Sequence, residues 1–302
     1  MFVYGPFQHW AFGLCIGLNV IGDKRICPLD CIYCPYPVTR ADCSPNLNEI
    51  IKELENAYDK FSTLTKSLLI SGHGDPLLCD RLSFMLNYIR DIFSLKVILR
   101  TTYISICTLH IPKDILSSVD HIVVKLDAIT PETITSINKP SVKLPPDVIK
   151  SRMITLSQEI PIFIEVNIIR TSSNKLNSDS TELRKLIETI IDIAPDGVLL
   201  QSFPGFSNAQ KLAIGELIEI GRIFADYLGW HRVKIRGFSP LSTINLSLDE
   251  GKNAIISTLN NFPLTREEMA SILNYNSVEE VIRDILRIPN VIVLNGYFMK
   301  KR

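Results

Sequence analysis

Lys96-Val-Ile-Leu-Arg-Thr-Thr102, then Pro112–Val119, then His121-Ile-Val-Val-Lys-Leu126 is the stretch that decides the fold. Two β-branched runs flank a segment with the length and apolar spacing of a short helix, the signature of a strand–helix–strand unit. The alternation extends in both directions. Upstream, Ser67-Leu-Leu-Ile-Ser71 reads as a strand, and Asp80–Phe93 as a helix carrying Leu82, Met85, Leu86, Ile89 and Ile92 on one side. Leu14–Val20 adds a strand before a helix at Asn48–Phe61. Downstream, Thr130-Pro-Glu132 opens a helix by its cap and first-position proline. Pro146–Glu159 then reads as a helix, Pro161–Ile169 as a strand, Ser180–Ala194 as a helix and Gly197-Val-Leu-Leu-Gln-Ser202 as a strand. Strands apolar on both faces and separated by helices predict a parallel sheet with helices outside. About six such units are too few to close an eight-stranded barrel. The expected fold is therefore α/β, a partial barrel or open sheet, with ligands at the carboxyl ends of the strands.

The last fifty-odd residues change character. A helix at Asp249–Asn260 precedes two capping-box patterns, Thr265-Arg-Glu-Glu268 and Ser277-Val-Glu-Glu280. The third helix is expected to bury Val278, Val281, Ile282, Ile285 and Leu286, and Asn295-Gly296 between two apolar runs marks a hairpin. Three helices and a hairpin make a winged-helix pattern. The expected domains are a core over residues 1–236 and a winged-helix-like domain over 247–302, joined near Gly237–Ser247, where Gly, Ser and Pro cluster.

Lys plus Arg number 32 and Asp plus Glu number 32 in 302 residues, so the formal net charge is zero. That removes the electrostatic footprint of a general nucleic-acid binder. No apolar run approaches the ~20 residues of a membrane helix, and Met1-Phe-Val-Tyr-Gly-Pro-Phe7 lacks the basic start of a signal peptide. A cytoplasmic location is expected, with no membrane partner.

Three of the seven cysteines crowd into Cys27-Pro-Leu-Asp-Cys31-Ile-Tyr-Cys34. An odd count arranged this way is a poor disulfide framework and a good metal or cluster site. So short a loop can wrap three thiolates around three irons of a cubane and leave the fourth iron open to a small molecule. Zinc is the alternative; it needs a fourth ligand, for which no flanking His is present and Cys43 is the candidate. Cys15, Cys43, Cys79 and Cys107 are scattered singly and otherwise read as buried small hydrophobes.

The three cysteines, with Tyr33 just before the third, resemble the signature of the radical S-adenosylmethionine superfamily. The resemblance implies a partial (βα)6 radical SAM barrel, a [4Fe-4S] cluster on Cys27, Cys31 and Cys34, and S-adenosylmethionine bound at the open iron. It also implies an electron donor such as ferredoxin or flavodoxin. Ser71-Gly-His-Gly-Asp-Pro76 resembles the family's Gly-Gly-Glu element, which holds the methionine amino group; here the triplet is His73, Gly74 and Asp75. Lys125-Leu-Asp127 lies where the family places contacts to the ribose or methionine carboxylate. Glu165, Asn167 and Arg170 alternate with apolar neighbours on the fifth strand, and burying them unpaired would be costly. Glu165 and Asn167 are therefore candidates for cofactor contacts, as is Tyr33, with Thr101, Thr102 and Gln201 as further strand-end candidates.

Over roughly residues 3–206 the chain also resembles a group of mostly archaeal iron–sulfur oxidoreductases related to the wybutosine enzymes that modify tRNA. Tyr4-Gly-Pro6, Lys125-Leu-Asp-Ala128 and Ile137-Asn-Lys-Pro140 carry that resemblance. Only Cys15 precedes Cys27, so the second cluster of the true tRNA enzyme is missing its cysteines. The expected function is a radical enzyme that abstracts hydrogen from an unidentified substrate. The alternatives are a cluster-based redox sensor or protein-interaction module signalling through the winged helix, and a tRNA-modifying or glycyl-radical-activating enzyme. The tail from Asp249 balances seven basic against seven acidic residues, which argues for a protein partner there and against nucleic acid.

Overall fold

The computed structural model describes residues 1–36, 43, 45–171, 174, 176–203, 209–273 and 275–300. Lys301 and Arg302 of the terminal basic cluster lie outside the described residues. In chain order the elements are β1 (Val3–His9), β2 (Gly13–Leu18), α1 (Leu47–Phe61), β3 (Ser67–Ile70), α2 (Leu82–Ile92) and β4 (Lys96–Thr102). Then come α3 (Tyr103–Thr108), α4 (Lys113–Ser118), β5 (His121–Lys125), α5 (Pro131–Ile137), α6 (Pro146–Glu159), β6 (Ile162–Asn167) and β7 (Ile169–Arg170). They are followed by α7 (Ser180–Ile193), β8 (Gly197–Gln201), β9 (Gln210–Lys211), α8 (Ile214–Leu228) and β10 (Val233–Ile235). The chain closes with α9 (Leu248–Leu259), β11 (Leu264–Thr265), α10 (Arg266–Ala270), α11 (Tyr275–Ile285), β12 (Val291–Leu294) and β13 (Tyr297–Lys300).

The main sheet has the order β1-β2-β3-β4-β5-β6-β8-β10. Its six inner strands are the six expected from the sequence, and they follow one another in chain order. Two strands flank them. β10 continues the parallel ladder beyond β8, while β1 is antiparallel to β2 and its register shifts between Tyr4 and Phe7. Gly5-Pro6 lies inside that irregularity, which is where proline is tolerated in a strand.

The chain divides into two compact units, one of Met1–Ile26, Thr39–Val97 and Pro240–Arg302, the other of Cys27–Val38 and Ile98–Ser239. In the second unit the strands are not apolar on both faces. One face carries Ile122, Val124, Ile162, Ile164, Val198 and Leu200, all fully buried, and truncating such a side chain to Ala costs ~2–5 kcal/mol. Residues one position away point to the other face: Arg100, Thr102, Lys125, Glu165, Asn167 and Gln201.

In the first unit the C-terminal segment packs on β1. The Gly5 N–H donates to Ser257 Oγ at 3.0 Å, and the Phe7 and Phe262 rings lie 5.4 Å apart. α9, α10 and α11 with the sheet β11-β13-β12 give the winged-helix arrangement. Asn295 and Gly296 both have positive φ, 49° and 86°, as a type I′ hairpin turn requires. The Thr265 box forms: Thr265 Oγ1 accepts from Glu268 N at 3.2 Å, and Glu268 Oε2 accepts from Thr265 N at 2.9 Å. The Ser277 box does not, because α11 already begins at Tyr275 and places Ser277 inside the helix. Val278, Val281, Ile282 and Ile285 are buried as expected, but Leu286 is 48% exposed. It lies one residue past the helix end.

Candidate cofactor site

The cysteine loop belongs to the second unit, and the segment after α5 is strapped across it. Asp30 N donates to Asn138 O at 2.8 Å, Ile32 N to Ile137 O at 2.9 Å, and Ser141 N to Pro28 O at 2.8 Å. Cys31 is buried, whereas Cys27 and Cys34 are half-buried. Burial pushes the Cys31 thiol up to about 11; the Asp127 charge adds to this, and Lys125 and an Asn138 hydrogen bond oppose it. Among the described residues no three His, Cys, Asp or Glu side chains converge on a single ion site. A cubane differs, since its thiolates bind separate irons.

Asp127 is the hub beside this loop, with no exposed surface. Its Oδ1 accepts from Lys125 Nζ at 3.1 Å and from Asn167 N at 2.8 Å. Its Oδ2 accepts from the Tyr33 hydroxyl and from Asn138 Nδ2, the latter at 2.7 Å. A carboxylate has about four acceptor positions, and all are taken. Asp127 thus fixes Lys125, Tyr33 and Asn138 rather than offering a free oxygen. Burial pulls the Lys125 ammonium down, but Asp127 and Glu165 outweigh it and the net shift is upward. Lys125 Nζ also stands 3.6 Å from Glu165 and 4.9 Å from the centre of the Tyr33 ring. Burial first, and the Asp127 charge second, hold the Tyr33 phenol well above its ordinary range.

The polar face extends the network. Arg100 grips Glu165 through two hydrogen bonds of 2.7 Å. Gln201 Nε2 donates to Glu165 at 2.8 Å and Arg236 to Gln201 at 3.2 Å. Asn167 Oδ1 accepts from Phe203 N at 2.6 Å. Asn177 ties the strand ends, donating to the Asp127 and Asn167 carbonyls at 2.8 Å each. Arg170 does not join them; it pairs with Glu216 at the surface. Thr102 is used locally, its Oγ1 accepting from Ser105 N at 3.3 Å to cap α3. Thr101 lies on the opposite face from Arg100 by strand alternation.

Arg100, Tyr103, Asn138, Asn177 and Arg236 were not among the sequence candidates. The only signal for Asn138 was its place in Ile137-Asn-Lys-Pro140. Tyr103 is 1% exposed and its hydroxyl finds no partner among the described residues. Burial holds its phenol well above the ordinary range, with the negative charges of Cys31 and Asp127 adding to the effect.

The Ser71–Pro76 loop belongs to the first unit. Asp75 is fully buried, and its Oδ1 caps a short turn by accepting from Leu77 N at 3.1 Å. Gly74 has φ +142°, and a Cβ there would stand 1.9 Å from the Ile26 carbonyl oxygen. Only glycine fits, because Asp75 N donates to that same carbonyl at 2.8 Å. The His73 ring is held on both sides. Nδ1 stands 2.7 Å from Gly22 O and Nε2 2.6 Å from Asn260 O. The His73 side chain therefore ties the loop to the end of α9. Cys15, Cys43 and Cys79 are buried as expected of small hydrophobes, while Cys107 is half-buried.

No family model matches the chain. It is 23% identical over 290 residues to a UPF0026 protein of Helicobacter pylori (strain J99), covering 92% of this chain and 90% of that protein. A UPF0026 protein of Synechocystis is 28% identical over 164 residues, 52% of this chain and 60% of the relative. Among solved structures, a radical SAM methyltransferase from Sphaerobacter thermophilus superposes with TM-score 0.59 at 11% identity, over 76% of this chain and 68% of its own. Streptococcus suis SuiB bound to precursor peptide SuiA gives 0.54 at 16% identity, over 75% of this chain and 49% of SuiB. TYW1 with a lysine-pyruvate adduct bound gives 0.50 at 13% identity, over 70% and 73%. At these identities the likeness shows the fold: the chain has the partial α/β barrel architecture found in radical SAM enzymes.

Proposed function

We propose that the chain is a radical S-adenosylmethionine enzyme whose [4Fe-4S] cluster is held by Cys27, Cys31 and Cys34. The observation that carries this reading is the cysteine loop clamped against Asn138 and, through it, against the Asp127–Lys125–Tyr33 hub at the carboxyl end of β5. The donor set suits the group: thiols for iron, with the Lys125 ammonium and the Asn138 amide as positive and hydrogen-bonding partners for a negatively charged cluster. When bound, the cluster supplies the electron that splits S-adenosylmethionine into methionine and a 5′-deoxyadenosyl radical.

The chain's own residues bind and orient. Lys125 directs N–H groups at Asp127 and Glu165 and stays charged, so a remaining N–H is available to an anionic group such as a carboxylate. Asp75 supplies a buried carboxylate for an ammonium, a charge-assisted contact. Glu165, held by Arg100 and Gln201, orients Lys125. Tyr33 and Asn167 fix Asp127, and His73 and Gly74 set the course of the Asp75 loop. The electron comes from a ferredoxin- or flavodoxin-type donor.

A redox-sensor reading is favoured by one observation, the direct contact of His73 with Asn260 at the end of α9. Anaerobically reconstituted, reduced protein incubated with S-adenosylmethionine decides between the two. Formation of 5′-deoxyadenosine supports the enzyme. A cluster that cycles between oxidation states without forming it supports the sensor.

A further inference from the structure

We propose that Asn138 sets the reduction potential of the cluster by donating a hydrogen bond to the sulfur of Cys31. This rests on the reading that Cys31 is a cluster ligand, and it adds a residue that no resemblance assigned.

Asn138 Nδ2 lies 3.2 Å from Cys31 Sγ and 2.7 Å from Asp127 Oδ2. The amide cannot be turned round: its carbonyl would then face a carboxylate and a sulfur, both acceptors. Oriented as found, both N–H groups are used and Oδ1 finds no partner among the described residues, in a residue 1% exposed. An orphaned buried acceptor is destabilising, so the position favours the donor contacts over full satisfaction of the amide.

The backbone holds the side chain in place. Asn138 N donates to Ile134 O at 2.8 Å as the cap of α5, and Asn138 O accepts from Asp30 N at 2.8 Å. Lys139 follows with φ +41°, turning the chain sharply onto the cysteine loop. Reduction adds negative charge to the cluster and its thiolates. A donor on a ligating sulfur therefore stabilises the reduced form more than the oxidised form and raises the potential. Because the same amide grips Asp127, the ligand sulfur and the Lys125–Tyr33 hub are mechanically joined.

The test compares reconstituted wild-type protein with Asn138→Ala and Asn138→Asp, reading iron content and the midpoint potential by EPR at a series of poised potentials. Wild-type iron content and a lower potential in both variants are expected. The fall should come with Asp as with Ala, because a carboxyl group against Asp127 shares a proton with it and has none to give the sulfur. Retained clusters with unchanged or raised potentials overturn the proposal. Loss of iron from both variants also overturns it, since Asn138 would then hold Cys31 rather than tune it. A wild-type protein that takes up no cluster removes the underlying reading instead, a result separable from the other two.

Discussion

His73 Nε2 lies 2.6 Å from the backbone oxygen of Asn260, so the loop that carries Asp75 is hydrogen-bonded to the last turn of α9. The neighbouring contact runs parallel to it, with Asn19 Nδ2 donating to Asn261 Oδ1 at 2.8 Å. Truncation as His73→Ala removes the buried N–H that the Asn260 carbonyl accepts and should cost about 1–3 kcal/mol. Urea unfolding of the cluster-free protein measures the loss. Iron uptake should be unchanged, because the ring contacts with Asn19, Gly22 and Asn260 lie in the first unit.

Asp75→Asn separates charge from capping. Asparagine is as good a cap as aspartate, so the turn at Pro76–Leu78 should persist and the cluster should assemble. The lost charge-assisted contact should weaken S-adenosylmethionine binding by roughly 1.5–3 kcal/mol. Calorimetry on reconstituted protein checks this. Unaltered affinity would remove Asp75 from the cofactor site.

Asp127→Ala should be among the most damaging single changes. It leaves the buried Lys125 ammonium with Glu165 alone and unties Tyr33, Asn138 and the Asn167 N–H at once. Breaking a buried ion pair from one side costs ~3–5 kcal/mol. The surface pair Lys150–Asp192, with side chains 37% and 51% exposed, sets the contrast: Asp192→Ala should cost under ~1 kcal/mol. Denaturant melts of the two variants should differ accordingly.

Much of the barrel was legible from periodicity alone. β4 and α6 begin and end at the residues the sequence marks, since a β-branched run and a proline-opened amphipathic segment leave little competition. β1 was hidden by Gly5-Pro6, which demotes a strand. α3 was hidden because Tyr103-Ile-Ser-Ile reads locally as more β than helix, and only the Thr102 cap turns it. Glu165 and Asn167 were visible as polar breaks in an apolar strand, but Arg170 broke the pattern in the same way and faces Glu216. Alternation cannot say where a strand ends its service to the core. Asn138 was out of reach for a different reason, because its partner Cys31 is 107 residues away and nothing local reports that contact.

Alkaline stability offers a further check on the buried network. Lys125 is raised above its free value of 10.5 and Tyr103 above its free value of 10.0. A group raised on folding stabilises fully below its free value, and that contribution is lost as pH rises through the folded one. Cys31, pushed up from 9.0 to about 11 by burial, joins them, so the cluster-free protein should hold its stability up to about pH 9 and lose it above. Lys125→Met should be weaker at neutral pH and decline less steeply on the alkaline side, as followed by denaturant melts across the pH range.

The central claim, one cluster on Cys27, Cys31 and Cys34, is tested most directly by anaerobic reconstitution with iron and sulfide followed by iron analysis. The wild-type chain should bind about four irons, and the triple Cys27→Ala, Cys31→Ala, Cys34→Ala variant should bind none. The single variants Cys43→Ala, Cys79→Ala and Cys107→Ala should each keep the full complement. Loss of the cluster in any of those three, or four irons retained without the three loop cysteines, would contradict the account.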